Sequence, residues 1–284
     1  DLTKTIMARF DRLKTGRQNW ETHWQEVADY MQPRKADVTR TRSKGDKRTE
    51  LVFDSSPIQA VELLAASLHG MLTNPSTPWF SLRYKDQGLD MDDEAKLWLE
   101  GVTETMYTAF NRSNFQQEIF ELYHDLITFG TAAMFIEEDN QDLLKFSTRH
   151  INEIYITEND KGRIDTVYRK FKITLRAAAQ QFGTFLSEEA KRKVDKDPFD
   201  DIEILHAVYP RIEFDPTKKD KENMEFESVY LEYKNGNELS VGGFVEFPFV
   251  VPRYLKASHE IYGRSPAMTA LPDVKMLNEM SKTT

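Results

Sequence analysis

The spacing of apolar residues changes twice along the chain, and this change limits the folds open to it. Up to Gly130, apolar residues recur every three or four positions, which is typical of helices. From Thr131 to about Val251 they alternate or form short runs bounded by turns, which is typical of strands. Helical spacing returns at Ser265. Helices at both ends with strands between them predict an α+β fold.

The first two helices have clear boundaries in the sequence. An apolar stripe from Leu2 to Met31 predicts the first helix, and Pro33 closes it. Ser56 is the expected N-cap of the second, with Pro57 as its first helical residue and Gln59 completing a capping box. Gly70 and the pair Asn74-Pro75 are expected to end this second helix.

Two further helices are expected before the strands. The third covers residues 92–110, with Trp98, Val102, Met106 and Ala109 facing inward. The fourth is capped by Asn114 and ends at Gly130. His124 lies on its apolar face, where a lone histidine usually has a structural role.

The strands and the helices after them follow from the same spacing rules. Two short helices are expected among the strands, at residues 174–182 and 187–195. A last helix opens at Ser265-Pro266, and Pro272 predicts a kink or a later start. No stop signal follows, so we expect a piece of a longer protein. The predicted strands are 133–137, 144–148, 151–157, 164–171, 202–214, 226–233, 238–241 and 244–251.

Composition excludes several classes of protein. The 284 residues contain no cysteine, which excludes disulfides, thiolate metal sites and cysteine nucleophiles within them. No apolar run approaches the roughly 20 residues needed to cross a bilayer, so no membrane partner is expected. The net charge of −9 is opposite to that of a protein that grips DNA phosphates. The ordinary acidity of a cytosolic protein is the preferred interpretation of this charge, and a wall that repels DNA as it slides past is the alternative.

One stretch, which we call the basic segment (residues 34–48), has the opposite charge. Apolar residues are scarce in it, which predicts a mobile loop. Three interpretations remain open: a solvated loop, contact with an acidic neighbouring subunit, and contact with nucleic acid. Its seven cationic residues are Arg34, Lys35, Arg40, Arg42, Lys44, Lys47 and Arg48.

Motifs for catalysis and cofactor binding are absent from the sequence. There is no phosphate-binding loop, dinucleotide fingerprint, nucleophile elbow or H-E-x-x-H pair, and the six histidines are scattered. Acidic clusters at 92–94, 137–139 and 200–201 suit helix starts and turns. We therefore expect no catalytic, metal-binding or cofactor-binding residues, and an interaction protein rather than an enzyme. A metal-dependent nuclease assembled from these carboxylates is a third, weaker alternative.

A helix with an L-T-x-P-x-x-P-W-F turn at residues 54–80 and further stretches at 113–133, 167–183 and 262–275 carry a family resemblance. These four stretches resemble the head-to-tail connecting (portal) proteins of short-tailed bacteriophages, the T7-like and related podoviruses. They run in order along the chain from near residue 54 to the last helix, and the L-T-x-P-x-x-P-W-F turn covers residues 72–80. Ser67 and His69 depart from the small residues expected there. The positions that carry the resemblance, expected to be structural, are Thr73, Pro75, Pro78, Trp79, Phe80, Asn114, Phe115, Gly130, Thr131, Gly263, Arg264, Ser265, Pro266, Pro272 and Asp273.

The resemblance implies a ring, usually of twelve subunits, at one capsid vertex of the virion, assembled in the host bacterial cytoplasm. It implies a helical and β wing at 1–173, a first stem helix with a β-containing clip at 174–260, and the start of a returning stem helix at 261–284. The implied partners are further copies of the chain, capsid protein, terminase, tail adaptors and the double-stranded DNA that passes through the ring. The runner-up is another virion structural protein, such as a tail adaptor or an internal core protein.

Overall fold

A computed structural model describes residues 2–43, 45–85, 92–218 and 220–283, which form two compact units. Unit 1 comprises the chain up to His23 together with His150–Phe249, and unit 2 comprises Trp24–Arg149 together with the chain from Val250 onward. Each unit is therefore built from two separate stretches of chain. The mixture of helices and strands confirms the predicted α+β class.

The elements follow one another in the order that the apolar spacing predicts. They are α1 (Leu2–Met31), α2 (Ser56–Leu72), α3 (Asp93–Arg112), α4 (Phe115–Phe129), β1 (Ala133–Asp139), β2 (Leu143–Arg149), β3 (Ile154–Glu158), β4 (Ile164–Thr174), α5 (Leu175–Phe182), α6 (Glu188–Lys196), β5 (Asp201–Pro210), β6 (Phe226–Glu232), β7 (Glu238–Phe244), β8 (Phe249–Val250) and α7 (Pro266–Thr283).

Unit 1 is a five-stranded antiparallel sheet in the order β3-β4-β5-β6-β7. The early part of α1 packs Ile6 and Phe10 on one face, against residues that include Tyr168 and Leu205. The helices α5 and α6 pack on a second apolar cluster, which includes Ile204. Because both faces of β5 are covered, six consecutive residues of that strand are buried.

A buried arginine fastens α1 to the edge of this sheet. Arg17 is 1% exposed and donates from Nη1 to the carbonyls of Ile151 (2.9 Å) and Ile154, and from Nη2 to that of Asn152 (2.8 Å). Glu21, one turn along the helix, accepts from the same guanidinium at 2.7 Å. The carbonyls at the start of β3 therefore have a partner that the apolar pattern could not reveal.

Unit 2 is organised around α4. This helix contacts α2 and α7 as well as the antiparallel pair β1–β2, and eight of its fifteen residues are buried. An aromatic cluster made by Phe115, Phe146 and Trp79 with neighbouring apolar residues fills the space between α4 and the strands. The predicted end of α4 at Gly130 is confirmed, because this residue has the left-handed conformation (φ 74°) that favours glycine.

Several helix boundaries differ from the predictions. The N-cap of α2 is Ser55 rather than Ser56, and the side chain of Ser55 makes no capping bond, so the capping box is wrong. Asp54 instead accepts a bond from the Ser56 amide (2.8 Å). The helix continues past Gly70 to Leu72, and α7 is continuous from Pro266 through Pro272, so the later start is also wrong.

The inward face predicted for the third helix is wrong. Trp98 is 63% exposed and no residue of α3 is buried. The apolar stripe exists, but the described residues leave Trp98 and Met106 exposed and bury Val102 and Ala109 only in part.

Three strand predictions are too long. Residues 151–153 form a 3-10 turn before β3, and β5 ends at Pro210. Within 244–251, only Phe244, the last residue of β7, and Phe249–Val250 are strand.

Candidate interaction sites

The basic segment follows α1 directly, and a buried side chain of that helix binds its backbone. Gln25 Oε1 accepts from the amides of Val38 (3.0 Å) and Thr39 (2.9 Å), while its Nε2 donates to the carbonyl of Ala36 (2.7 Å). Apart from the 3-10 turn Pro33–Lys35, the described part of the segment has neither helix nor strand. A loop lacking regular structure is therefore ordered locally by a side chain eleven or more residues away.

Four of the seven cations bind carboxylates of the same unit. Lys35 Nζ lies 2.6 Å from Asp125 and 2.5 Å from Glu121, and Arg34 lies 2.9 Å from the same Glu121. The other two pairs are Arg40–Asp29 (3.4 Å) and Arg48–Asp37. Much of the positive charge of the segment is thus offset inside the chain.

The remaining cations differ from one another. Lys47 is exposed and has no ion pair among the residues that the structure describes. Arg42 is half-buried, and Lys44 lies outside the described residues. Arg34 and Arg40 keep about half of their side chains exposed, at 58% and 52%. The segment therefore still presents cationic groups to a partner.

Burial and charge act in opposite directions on the pKa of Glu121, the carboxylate that binds both Lys35 and Arg34. Burial acts to raise the pKa of Glu121, but Lys35 and Arg34 outweigh it and hold that pKa below its usual value. Burial lowers the pKa of His124, one turn further on, and Arg34 lowers it further against the opposing effect of Glu121 and Glu62. The imidazole is thus neutral at pH 7, as expected for a structural histidine.

Replacing His124 with glutamine is expected to flatten the pH dependence of stability. Because the folded-state pKa lies below the unfolded-state pKa, the unfolded chain binds the extra proton first as the pH falls. The contribution of the neutral His124 side chain to stability is fully present above the unfolded-state pKa. This contribution decreases as the pH falls through that value towards the folded-state pKa.

Urea midpoints of the parent and His124→Gln, measured from pH 8 to pH 5, check this prediction. Lys35, Arg34, Glu121 and Glu62 titrate in both proteins, so the difference between the two curves reports the titration of His124 in its charged surroundings. Parallel curves for the two proteins would contradict it.

The glycine-containing motifs from distant parts of the chain meet in one crossing. Gly263 N–H donates to Thr131 Oγ1 at 2.8 Å. A Cβ atom at Gly130 would lie 2.3 Å from the carbonyl oxygen of Gly263, and one at Gly263 would lie 2.2 Å from that of Gly130. Ser265 Oγ donates to the carbonyl of Thr128 (2.9 Å) and caps the Met268 amide at the start of α7 (3.0 Å). This crossing fastens α7 to the end of α4.

The aromatic turn motif is anchored by hydroxyl groups. Tyr107 Oη accepts from the amides of Trp79 (2.6 Å) and Phe80 (2.7 Å) and donates to the carbonyl of Phe80 (2.8 Å). The Trp79 ring stacks on Phe115 with 5.8 Å between ring centroids. Thr73, just after α2, is 3.2 Å from the hydroxyl of Tyr123. These motif positions pack within unit 2.

Asn114 has a role different from the predicted cap. Its side chain makes no bond to α4, but accepts from the Phe146 amide (2.9 Å) and donates to the Phe146 carbonyl (2.8 Å). The carboxamide therefore pairs with β2 like a neighbouring strand.

The other motif positions are dispersed. Pro75 lies in the turn after α2, Pro78 lies in the loop before Trp79, and Arg264 pairs with Glu260. Pro266 is the first residue of α7, while Pro272 and Asp273 are exposed on that helix. The motif residues that pack together thus form two separate clusters. The aromatic turn lies at the start of α4, and the glycine crossing lies at its end.

Sequence reasoning missed Asn278 of α7. This buried side chain accepts from the amides of Phe53 (2.7 Å) and Asp54 (3.3 Å) and donates to the carbonyl of Leu51 (2.9 Å). It thereby fixes the segment that leads into α2. No local pattern marks it, because its partners are more than 220 positions away in the sequence.

Replacing Asn278 with alanine is expected to destabilise unit 2 by about 1–2 kcal/mol, since it removes three part-buried hydrogen bonds to the backbone. Amide exchange at Phe53 and Asp54 should accelerate. Exchange measured by mass spectrometry checks this, with Met276→Ala as the control because Met276 is exposed on the same helix. Unchanged protection at residues 51–54 would contradict it.

Two kinds of site are not found in the described ranges. No three histidine, aspartate or glutamate residues there lie close enough to hold a metal ion. Among the same residues, no helix is both long and apolar enough to cross a membrane.

The glycine crossing and the aromatic turn, which contain most of the motif residues, pack within unit 2. The chain belongs to the family of bacteriophage head to tail connecting proteins, whose family model matches residues 3–284. The resemblance seen in the sequence is thereby confirmed.

Two curated relatives extend this result. The chain is 33% identical over 279 residues to a probable portal protein of Bordetella phage BPP-1, covering 96% of this chain and 50% of the relative. It is 31% identical over 283 residues to a portal protein of Salmonella phage epsilon15, covering 98% of this chain and 51% of the relative. The chain thus spans about half the length of the curated relatives it matches.

Proposed function

We propose that this chain is part of a portal subunit, a ring-forming protein at one capsid vertex through which viral DNA enters and leaves. The observation that carries the proposal is the match of the connector family along residues 3–284, supported by similarity to two portal proteins. The role is structural rather than enzymatic. It places the protein in the virion, after assembly in the host cytoplasm.

The proposed assembly is a ring of twelve subunits. In it, residues 1–173 belong to the wing, 174–260 to the first stem helix and the clip, and 261–284 to the start of the returning stem helix. The proposed partners are capsid protein, terminase, tail adaptors and double-stranded DNA.

Charge supports the proposed role as a conduit. Twelve copies at −9 each carry about −108 for this portion of the ring. A wall of this sign repels phosphates, so DNA slides past it without adhering. The basic segment is a local exception to this charge, and we assign it to contacts between subunits rather than to the channel wall.

Negative-stain electron microscopy and mass photometry on the full-length protein test the proposal. Rings with a central hole and a mass near twelve subunits are the expected result. A monomer or small oligomer that persists across protein and salt concentrations would overturn it and favour a tail adaptor.

A further inference from the structure

The residues that the structure describes leave an apolar stripe along α3 exposed. Leu97 and Trp98 are 69% and 63% exposed, and Met106 continues the stripe two turns later. The small residues Gly101 and Thr105 lie between them and allow another backbone to approach closely. An exposed tryptophan within a contiguous apolar patch is typical of an interface.

Acidic residues border this stripe on one side. Asp93, Glu100 and Glu104 are spaced seven and four positions apart, which places them along one line of the helix. All three are exposed. A partner that covers the α3 stripe is therefore expected to carry an apolar surface with cations beside it.

The same unit contains a surface with these properties. A groove of about 160 Å³ runs between α2 and α7, with Ala60 and Ala270 on its walls and Ile127 and Met31 among its lining residues. Its lining is almost entirely apolar, and both alanines are exposed. Cavities of roughly 150 Å³ hold a benzene-sized ring, so the groove has room for part of an aromatic side chain.

The basic segment borders this groove. A neighbouring cavity of about 330 Å³ shares Met31 and Val61 with it and is also lined by Arg34 and Arg48. Arg34 is half-exposed and, among the residues that the structure describes, makes one ion pair, through Nη2. A guanidinium has five N–H donors, so Arg34 has donors left for a carboxylate of another molecule.

We infer that the α3 stripe of one subunit docks into the α2–α7 groove of the next, with Trp98 in the groove and the acidic line of α3 against the basic segment. This inference rests on the proposed ring. It requires two different surfaces of one chain to meet, which is the heterologous contact that closes into a ring. Pairing of α3 with another α3 would instead give a two-fold dimer.

Two single substitutions in the full-length protein test this interface from its two sides. Trp98→Ser removes the docking side chain, and Ala60→Trp fills the groove; both residues are exposed, so the fold has no packing reason to change. Each variant is expected to need at least about tenfold more protein to form rings than the parent. Phe199→Ser is the matched control, since Phe199 is 70% exposed on unit 1, and it should assemble like the parent. Thermal unfolding of all four proteins verifies the fold.

Mixing the two variants identifies the partner surface. The intact Trp98 of the Ala60→Trp chain can dock into the intact groove of the Trp98→Ser chain, but the remaining surfaces cannot continue the ring. Mass photometry of the mixture is therefore expected to show dimers.

Three results would overturn the inference. Assembly of Ala60→Trp like the parent, with loss only for Trp98→Ser, would indicate pairing of α3 with α3. Normal rings from both variants would show that another protein covers the stripe. An equal loss in Phe199→Ser would show that the effect is not specific to this interface. Failure of the proposed function is distinct, since the parent itself would then form no ring.

Discussion

Replacing Gly130 with alanine is expected to destabilise unit 2 by roughly 3 kcal/mol or more, enough to remove much of the folded protein. The residue has φ 74°, which strains any side chain that carries a Cβ. The new Cβ would also lie 2.3 Å from the carbonyl oxygen of Gly263 and 2.7 Å from the carbonyl carbon of Arg264. Because both are backbone atoms, no rotamer change relieves the contact, and the junction between α4 and α7 must open.

Thermal unfolding and amide exchange of α7 measure this effect. Gly70→Ala is the matched control, because Gly70 is helical and a Cβ there meets no atom within 4 Å. That substitution should stabilise α2 by about 0.5–1 kcal/mol, which is the usual gain of alanine over glycine inside a helix. Equal stability of the two variants would show that the close approach at Gly130 is not essential.

Replacing Arg17 with methionine is expected to cost unit 1 roughly 3–5 kcal/mol. Methionine fills a similar volume but donates nothing, so the carbonyls of Ile151, Asn152 and Ile154 lose a buried donor. The cation–π contact with Tyr155, at 3.7 Å from the ring centre, is lost as well. The start of β3 should consequently separate from α1.

Urea unfolding followed by circular dichroism, together with exchange at residues 151–156, tests this prediction. Arg12→Met is the control, since Arg12 is exposed on the same helix, and its effect should stay within about 0.5 kcal/mol. A similar loss in both variants would attribute the effect to helix charge instead of the buried bonds.

Local patterns in the sequence sufficed to predict much of the fold. The helix starts at Thr174 and Ser187 are confirmed, since each side chain caps an amide three residues later, at Ala177 and Ala190. The strands and the end of α4 at Gly130 were predictable for the same reason. These features depend on residues within a few positions of one another.

Features that depend on distant residues were not predictable. The spacing of α3 indicates an amphipathic helix, but it cannot show whether anything covers the Trp98 face, which the described residues leave exposed. Gln25, Arg17 and Asn278 look like ordinary polar residues in the sequence, yet each is buried and satisfies backbone groups far along the chain. Their roles appear only once the tertiary contacts are known.

The basic segment illustrates the same limit at the candidate site. Its composition identified a concentration of positive charge, but Glu121 and Asp125 of α4 lie about 90 positions away. The sequence therefore revealed the cations without their intramolecular partners. Lys47 and the outer parts of Arg34 and Arg40 remain exposed. Their contact with another subunit stays a prediction.

The crossing of Gly130 with Gly263 has a consequence for synthesis on the ribosome. All residues of unit 1 have been synthesised once Phe249 is added, whereas unit 2 still lacks α7 at that point. At about 5–20 residues per second, the roughly 130 residues between the two glycines take on the order of 10 s to translate. During that delay Met31 and Ile127 lack the α7 side of their groove, so the nascent chain cannot yet offer a complete docking surface to another copy.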